Sequence, residues 1–205
     1  MASALRKTPY HSYRDYLTWP AEYRYELIDG TAYAMAPAPT QSHQIAVGEL
    51  FRQIANALVG KPCMPFIAPL DVRLPRLGRA DDKNSDAQND DQIDTVVQPD
   101  LLVVCDKHKR DSRGILGAPD WIIEVLSPVT AVYDQVTKRR LYEAAGVREY
   151  WLVHPQDRSL IRYSLVNGYY PSVDPVALSG ETPSLILPEV VIHWECLLQL
   201  LPEPI

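Results

Sequence analysis

The stretch VVQPDLLVVCD, residues 96–106, and its partner APDWIIEVLSP, residues 118–128, decide how this chain is read. Each sets a Pro-Asp pair at the mouth of an apolar run. Runs of this length, bounded by proline and polar residues, read as buried strands, here at roughly 97–105 and 120–126. The repeat offers two aspartates, Asp100 and Asp120, and an acid in the middle of the second strand, Glu124. Asp120 and Glu124 share a strand face, but at roughly 3.3 Å per residue their Cα atoms are about 13 Å apart. A single hard cation, with oxygen ligands at about 2–2.5 Å, cannot bridge that span. Asp100 and Glu124 can converge if their strands are neighbours, roughly 5 Å apart. Asp120 then reads as a strand-entry residue placed by Pro119. An ionised Glu124 inside WIIEVL is costly without a partner.

Working outward, YHSYRDYLTWP (10–20) predicts a short helix stopped by Pro20. Tyr23, Tyr25 and Leu27 alternate ahead of Asp29-Gly30, a strong hairpin signal. Alternation puts Glu26 on the face opposite Tyr25 and Leu27. Ile45, Val47, Leu50, Phe51, Ile54 and Leu58 have helical spacing, with Gly60 as the stop. CMPFIAPLDVRLP (63–75) reads as one strand. A helix is expected at about 130–145, ended by Gly146, and then a strand in EYWLVHP. LIRYSLVNGYYPSV reads as a second hairpin turned by Asn167-Gly168, and WECLLQLLPEPI as a terminal amphipathic stretch. Helix, hairpin, helix, strands, helix and strand again predict an α/β or α+β fold with a mixed sheet flanked by helices.

The 205 residues suit one domain, 1–205, with a full core. No apolar stretch is long enough to cross a bilayer. The N-terminus lacks a signal pattern, so a cytoplasmic protein without a membrane partner is expected. Cys63, Cys105 and Cys196 are odd in number and far apart, which suggests neither a disulfide framework nor a zinc knuckle; Cys105 reads as a buried small hydrophobe. The net charge of −6 is uneven. Residues 79–94 hold six aspartates against one lysine and one arginine, a local −4, so the other residues carry −2. That segment has no hydrophobic periodicity and reads as a mobile surface loop. The basic runs at 107–113 and 138–140 read as solvated faces or as phosphate contacts.

Paired carboxylates fit phosphodiester cleavage. Magnesium favours a site with one or two carboxylates and room for water and phosphate oxygens, and such a metal lowers the pKa of a bound water. QPDLLVV, PDWIIEVLSP, DQVTK and YEAAGVREYWLVHP, with RYELIDG and SHQ upstream, resemble the PD-(D/E)XK nuclease pattern as it occurs in the Uma-two family of restriction-endonuclease-like proteins. The resemblance spans about residues 10–200 and implies that the acidic loop at about 79–94 is an insertion where the family often has a short turn. It implies a restriction-endonuclease-like core, a magnesium (or manganese) cofactor and DNA as substrate. It carries Asp100 and Glu124 over as metal ligands and catalytic residues. The pattern's lysine stands two residues after the acid, where this chain has Leu126. The resemblance suggests that Lys138, on the following helix, takes that role. Asp134 lies one turn from Lys138, and a plain i,i+4 ion pair is the simpler reading of the two. Glu26 and His43 are supporting candidates, Glu26 approaching the metal from the side and His43 contacting a phosphate or positioning a water. Gln44, Tyr133, Tyr142 and Tyr150 read as structural.

Two other readings compete. A catalytically inactive member of the same fold would bind nucleic acid or protein, as Leu126 in the lysine's place allows. A carboxylate-pair glycosidase is disfavoured by the lysine. Nucleases that cut both strands often act as two-fold dimers. LLQLLPEPI is a candidate interface for a homodimer, or simply packs on the core.

Overall fold

The computed structural model describes residues 9–20, 22–35, 38–75, 90–127 and 131–202. Its elements, in chain order, are α1 (Tyr13–Tyr16), β1 (Tyr25–Ile28), β2 (Thr31–Ala34), α2 (Gln41–Ala57), β3 (Met64–Ile67), β4 (Val72–Arg73), β5 (Val96–Val97) and β6 (Leu101–Val104). Then come β7 (Arg110–Asp111), β8 (Gly114–Leu116), β9 (Trp121–Val125), α3 (Arg139–Ala145), β10 (Glu149–His154) and β11 (Ser159–Ser164). The last are β12 (Val176–Ala177), β13 (Glu181–Pro183), β14 (Val191–His193) and α4 (Trp194–Leu198). A π-helical segment, Tyr133–Lys138, runs straight into α3.

The fold is α+β, with its strands in more than one mixed sheet. The central six-stranded sheet has the order β12-β11-β10-β9-β6-β3. Within it β9 and β10 are parallel, joined by the crossover through α3, and β6 is antiparallel to β9. A second six-stranded sheet has the order β2-β1-β5-β4-β8-β7, and β13 and β14 form a ribbon. Period-two alternation divides the central strands. Leu101, Val103, Trp121, Ile123, Trp151 and Val153 pack with α2 and α4. Leu102, Val104, Ile122, Tyr150 and Leu152 face the other way, onto Ile28, Val72, Val97 and Ile115 of the second sheet and Tyr142 of α3. Helices therefore flank one face, while the second sheet shares the other with α3. Its strands β4, β5 and β7 have two residues each, too few to carry a periodic signal.

VVQPDLLVVCD is not one strand. Val96 and Val97 belong to the second sheet and Leu101–Val104 to the central one, so the chain changes sheets at Pro99-Asp100. Pro99 has no N–H to give a ladder. The expected strand 63–75 divides in the same way into β3 and β4, around Pro69. The two crossings run side by side, with Ala68 N donating to Asp100 O at 3.1 Å.

The Asp29-Gly30 hairpin forms, with positive φ at both residues (48° and 74°), as a type I′ turn requires. Thr40 caps α2, and Gly146 ends α3 at φ 84°. Helix 10–20 shrinks to the single turn Tyr13–Tyr16, closed by a Ser12/Asp15 capping box. The Asn167-Gly168 turn is present but closes only the bridge Val166↔Tyr169. β11 instead pairs with β10 over six residues, where Leu160 is buried.

Residues 79–89 of the acidic stretch lie outside the described residues, as do Pro128 and residue 130, where the helix 130–145 was expected to begin. Residues 90–94 are tied into the fold, although Asp91 and Gln92 are exposed. Ile93 is buried with Tyr13, Leu27 and Val96, Asp94 accepts from the Tyr10 hydroxyl at 2.7 Å, and Asp90 pairs with Arg113 at 2.8 Å. Polar neighbours mask this one core side chain in the sequence. The basic runs are likewise partly spent inside the fold: Lys109 donates to Ala118 O at 2.7 Å, and Lys138 is buried.

Cys63 and Cys105 are joined by a disulfide, contrary to the expectation of unpaired thiols. Antiparallel β3 and β6 pair Met64 with Val104, which sets residues 63 and 105 opposite each other. Their separation of 42 residues hides that from the sequence. Leu197 and Leu201 at the C-terminal end pack in the α2 cluster. No helix among the described residues is long and apolar enough to cross a membrane.

Candidate active site

Glu26, His43, Asp100, Glu124, Asp134 and Lys138 all line one cleft of about 760 Å³. They arrive from five places: β1, the first turn of α2, the sheet crossing before β6, the middle of β9, and the π-helical segment. Thr40 accepts from the His43 backbone N–H at 3.3 Å, which fixes that turn, and His43 Nε2 sits 3.1 Å from Asp100 Oδ2.

Antiparallel pairing of Leu101 with Ile123 brings Asp100 beside Glu124. The Asp100 N–H donates to Glu124 Oε2 at 3.1 Å, and the Val125 N–H donates to Asp100 Oδ2 at 2.9 Å. On its other oxygen, Glu124 accepts from Lys138 Nζ at 3.0 Å and from the Tyr142 hydroxyl at 2.8 Å. Lys138 Nζ also lies 3.1 Å from Glu26 Oε1 and 3.5 Å from Asp134 Oδ1. Glu26 Oε1 accepts in addition from the Gln98 N–H at 3.0 Å. Leu126, in the pattern's lysine position, is buried in the core and donates its N–H to Val153 O.

One buried ammonium therefore serves three carboxylates. Burial pulls the Lys138 ammonium down, but Glu124, Glu26 and Asp134 together hold it well above its ordinary value. Burial pushes the Glu124 carboxyl up to about 8; Lys138 opposes that, while Asp100, Asp134 and Glu26 add to it. The two shifts conflict if Lys138 and Glu124 are taken as an isolated pair, since an ion pair lowers its acid. They agree once the charge is counted: four carboxylates against Lys138 leave an acid excess, which favours the charged ammonium and raises the Glu124 carboxyl. Burial and the same acids also raise the hydroxyls of Tyr142 and Tyr150, which stay protonated donors.

Among the described residues no three His, Cys, Asp or Glu side chains form a ready-made metal cage. The donor set nevertheless fits magnesium, which takes one or two carboxylates and completes its shell with water. Hard oxygen donors and a buried excess of negative charge both favour such a cation. Asp100 lines the cleft, and its Oδ1 makes no hydrogen bond to a described residue.

Asp120 lies apart from these residues. It accepts from the Cys105 N–H at 2.8 Å and pairs with Arg148 at 3.3 Å. Tyr142, read from the sequence as packing, also donates to Glu124, and Gln44 and Gln98 line the cleft. Tyr142 is four residues beyond Lys138, the same helical face, and that spacing was the available signal.

The pattern of a family described as "Putative restriction endonuclease" matches residues 13–199. The chain belongs to this Uma2 family. "Uncharacterized protein slr1290" of Synechocystis sp. is 30% identical to it over 136 residues, 65% of this chain and 63% of that protein. The chain thus spans less than two thirds of that relative's length. The crystal structure of a "putative nuclease belonging to DUF820" from Anabaena variabilis matches with a TM-score of 0.67 at 19% identity, over 92% of this chain and 98% of that one. The Uma2 chain described here therefore shares the fold of that protein.

Proposed function

We propose that the protein is a magnesium-dependent endonuclease that hydrolyses phosphodiester bonds in DNA. The observation that carries this reading is the mutual hold of Asp100 and Glu124 beside the Lys138 ammonium, in one open cleft. Asp100 and Glu124 would hold the metal. Magnesium bound there supplies charge stabilisation for the phosphate and lowers the pKa of a bound water. The Val125 N–H and His43 fix the rotamer of Asp100. The Asp100 N–H and the Tyr142 hydroxyl fix Glu124. Lys138 keeps a protonated ammonium against Glu124, where it balances acid charge and can orient a water. Family membership supports the nuclease reading.

Purified protein is incubated with supercoiled and linear DNA, with and without magnesium. Magnesium-dependent nicking that disappears in Asp100→Ala is the expected result. Cleavage unchanged in Asp100→Ala sinks the assignment.

A second reading, a nuclease fold that binds without cutting, draws on Asp120. That Pro-Asp carboxylate caps the neighbouring strand and pairs with Arg148, away from the cleft residues. It predicts neither cleavage nor stabilisation by magnesium.

A further inference from the structure

A second hollow, of about 190 Å³, adjoins the carboxylate cleft. Arg24 and Gln98 line both. Its other walls are aromatic: Tyr16, Trp19, Tyr23 and Tyr25, with Pro20. The Trp19 ring lies 5.2 Å from Tyr25 and 5.3 Å from Tyr16, and Tyr23 lies 6.4 Å from Tyr25. These rings are not there for core packing alone, because Tyr23 is 66% exposed. Trp19 is partly exposed, whereas Trp121, Trp151 and Trp194 are fully buried.

The Gln98 amide and the Tyr16 hydroxyl are spent within the hollow. Gln98 Oε1 accepts from Arg24 Nε at 3.2 Å and Nη2 at 2.6 Å, and its Nε2 donates to the Tyr16 hydroxyl at 3.3 Å and to Asp71 at 2.8 Å. That is the full capacity of an amide. The Tyr16 hydroxyl donates to Asp71 at 3.1 Å. What remains is a set of aromatic rings, with the Tyr23 and Tyr25 hydroxyls, and one cation. Arg24, exposed on the boundary between hollow and cleft, makes no hydrogen bond through Nη1 to a described residue.

We propose that this hollow stacks one unpaired nucleobase of a DNA strand whose backbone crosses the carboxylate cleft, with Arg24 on the intervening phosphate. The inference rests on the nuclease reading above and narrows its substrate. A base paired inside a closed duplex is not available to the hollow, so single-stranded or locally opened DNA is the preferred class. With the Gln98 amide saturated, the site takes any base, since every base has a ring face.

The test uses the full chain, a labelled thymidine oligonucleotide and the matching duplex, in chelator so that nothing is cut. Single strands are expected to bind more tightly than duplex and to quench tryptophan emission. The quench should vanish in Trp19→Phe, which keeps a ring in place. Tyr23→Ala, at an exposed position, should weaken single-strand binding about tenfold or more. Single-strand binding unaffected by Tyr23→Ala and without quenching overturns the stacking site, and leaves the nuclease reading intact if magnesium-dependent cleavage persists. Quenching that depends on Trp19, without cleavage in any divalent cation, supports the stacking site and sinks the nuclease reading. No binding to either nucleic acid overturns the stacking site outright.

Discussion

Asp100 and Glu124 orient each other through the backbone. The Asp100 N–H is bound by the Glu124 carboxylate, and the N–H just after Glu124 is bound by the Asp100 carboxylate. At the other end of the same strand pair, Asp120 binds the N–H of Cys105. The two Pro-Asp units are therefore alike as strand caps. They differ in company, because only Asp100 has a glutamate, a histidine and a lysine cluster beside it.

That difference separates two variants. Asp120→Ala removes the cap on Cys105 and should cost about 1–2 kcal/mol in urea unfolding, with cleavage per folded molecule unchanged. Asp100→Ala should lower cleavage by about a hundredfold or more, the scale seen when groups supporting a metal are removed. Equal loss of activity in both would mean that strand-end order, not the carboxylate, is what cleavage needs.

The raised Glu124 gives a pH signature. Its folded pKa, about 8, lies above the ordinary value of 4.5, so the native state binds the extra proton. Its contribution to stability is full below pH 4.5 and is lost as pH rises through about 8. Comparing melting temperatures of the wild type and Glu124→Gln from pH 5 to 9 isolates this slope. Parallel curves would show that Glu124 is ionised throughout.

Magnesium should compete with that proton. Binding is expected to tighten from pH 6 to 8, to release protons, and to raise the melting temperature by mass action. Calorimetry in two buffers of different ionisation enthalpy reads the proton release. A magnesium-induced rise that survives in Glu124→Gln together with Asp100→Asn would assign the ion to another site.

Lys138→Met leaves Glu26, Glu124 and Asp134 buried without their shared cation. Breaking such a buried network costs about 3–5 kcal/mol. The loss should be greatest near pH 8 and shrink toward pH 5, where the acids can protonate instead. Unfolding at both pH values measures it, and a pH-independent cost would point to lost packing rather than charge.

The acid pair was legible because strand spacing alone rules out Asp120 with Glu124 and leaves Asp100 with Glu124. The tight turn at Asp29-Gly30 and the stop at Gly146 were legible because each rests on local chemistry. The second sheet was not legible. Two-residue strands carry no period, and a strand that changes sheets at Pro99 looks in one dimension like a single run. Ile93 and the Cys63–Cys105 bond were hidden because their partners are far off in the chain. The joint hold of Lys138 on Glu26 and Glu124 depends on the same long-range docking; local spacing offered only the Asp134 pair, and Lys138 beside Glu124 came from the family resemblance.

Glu26 belongs to one sheet and Glu124 to the other, and the Lys138 ammonium touches both. The lysine is thus a rivet between two layers. A chain whose sheets have each formed but have not yet closed on one another possesses every carboxylate and no reactive centre. For this protein, competence to act and completion of folding should arrive in the same step.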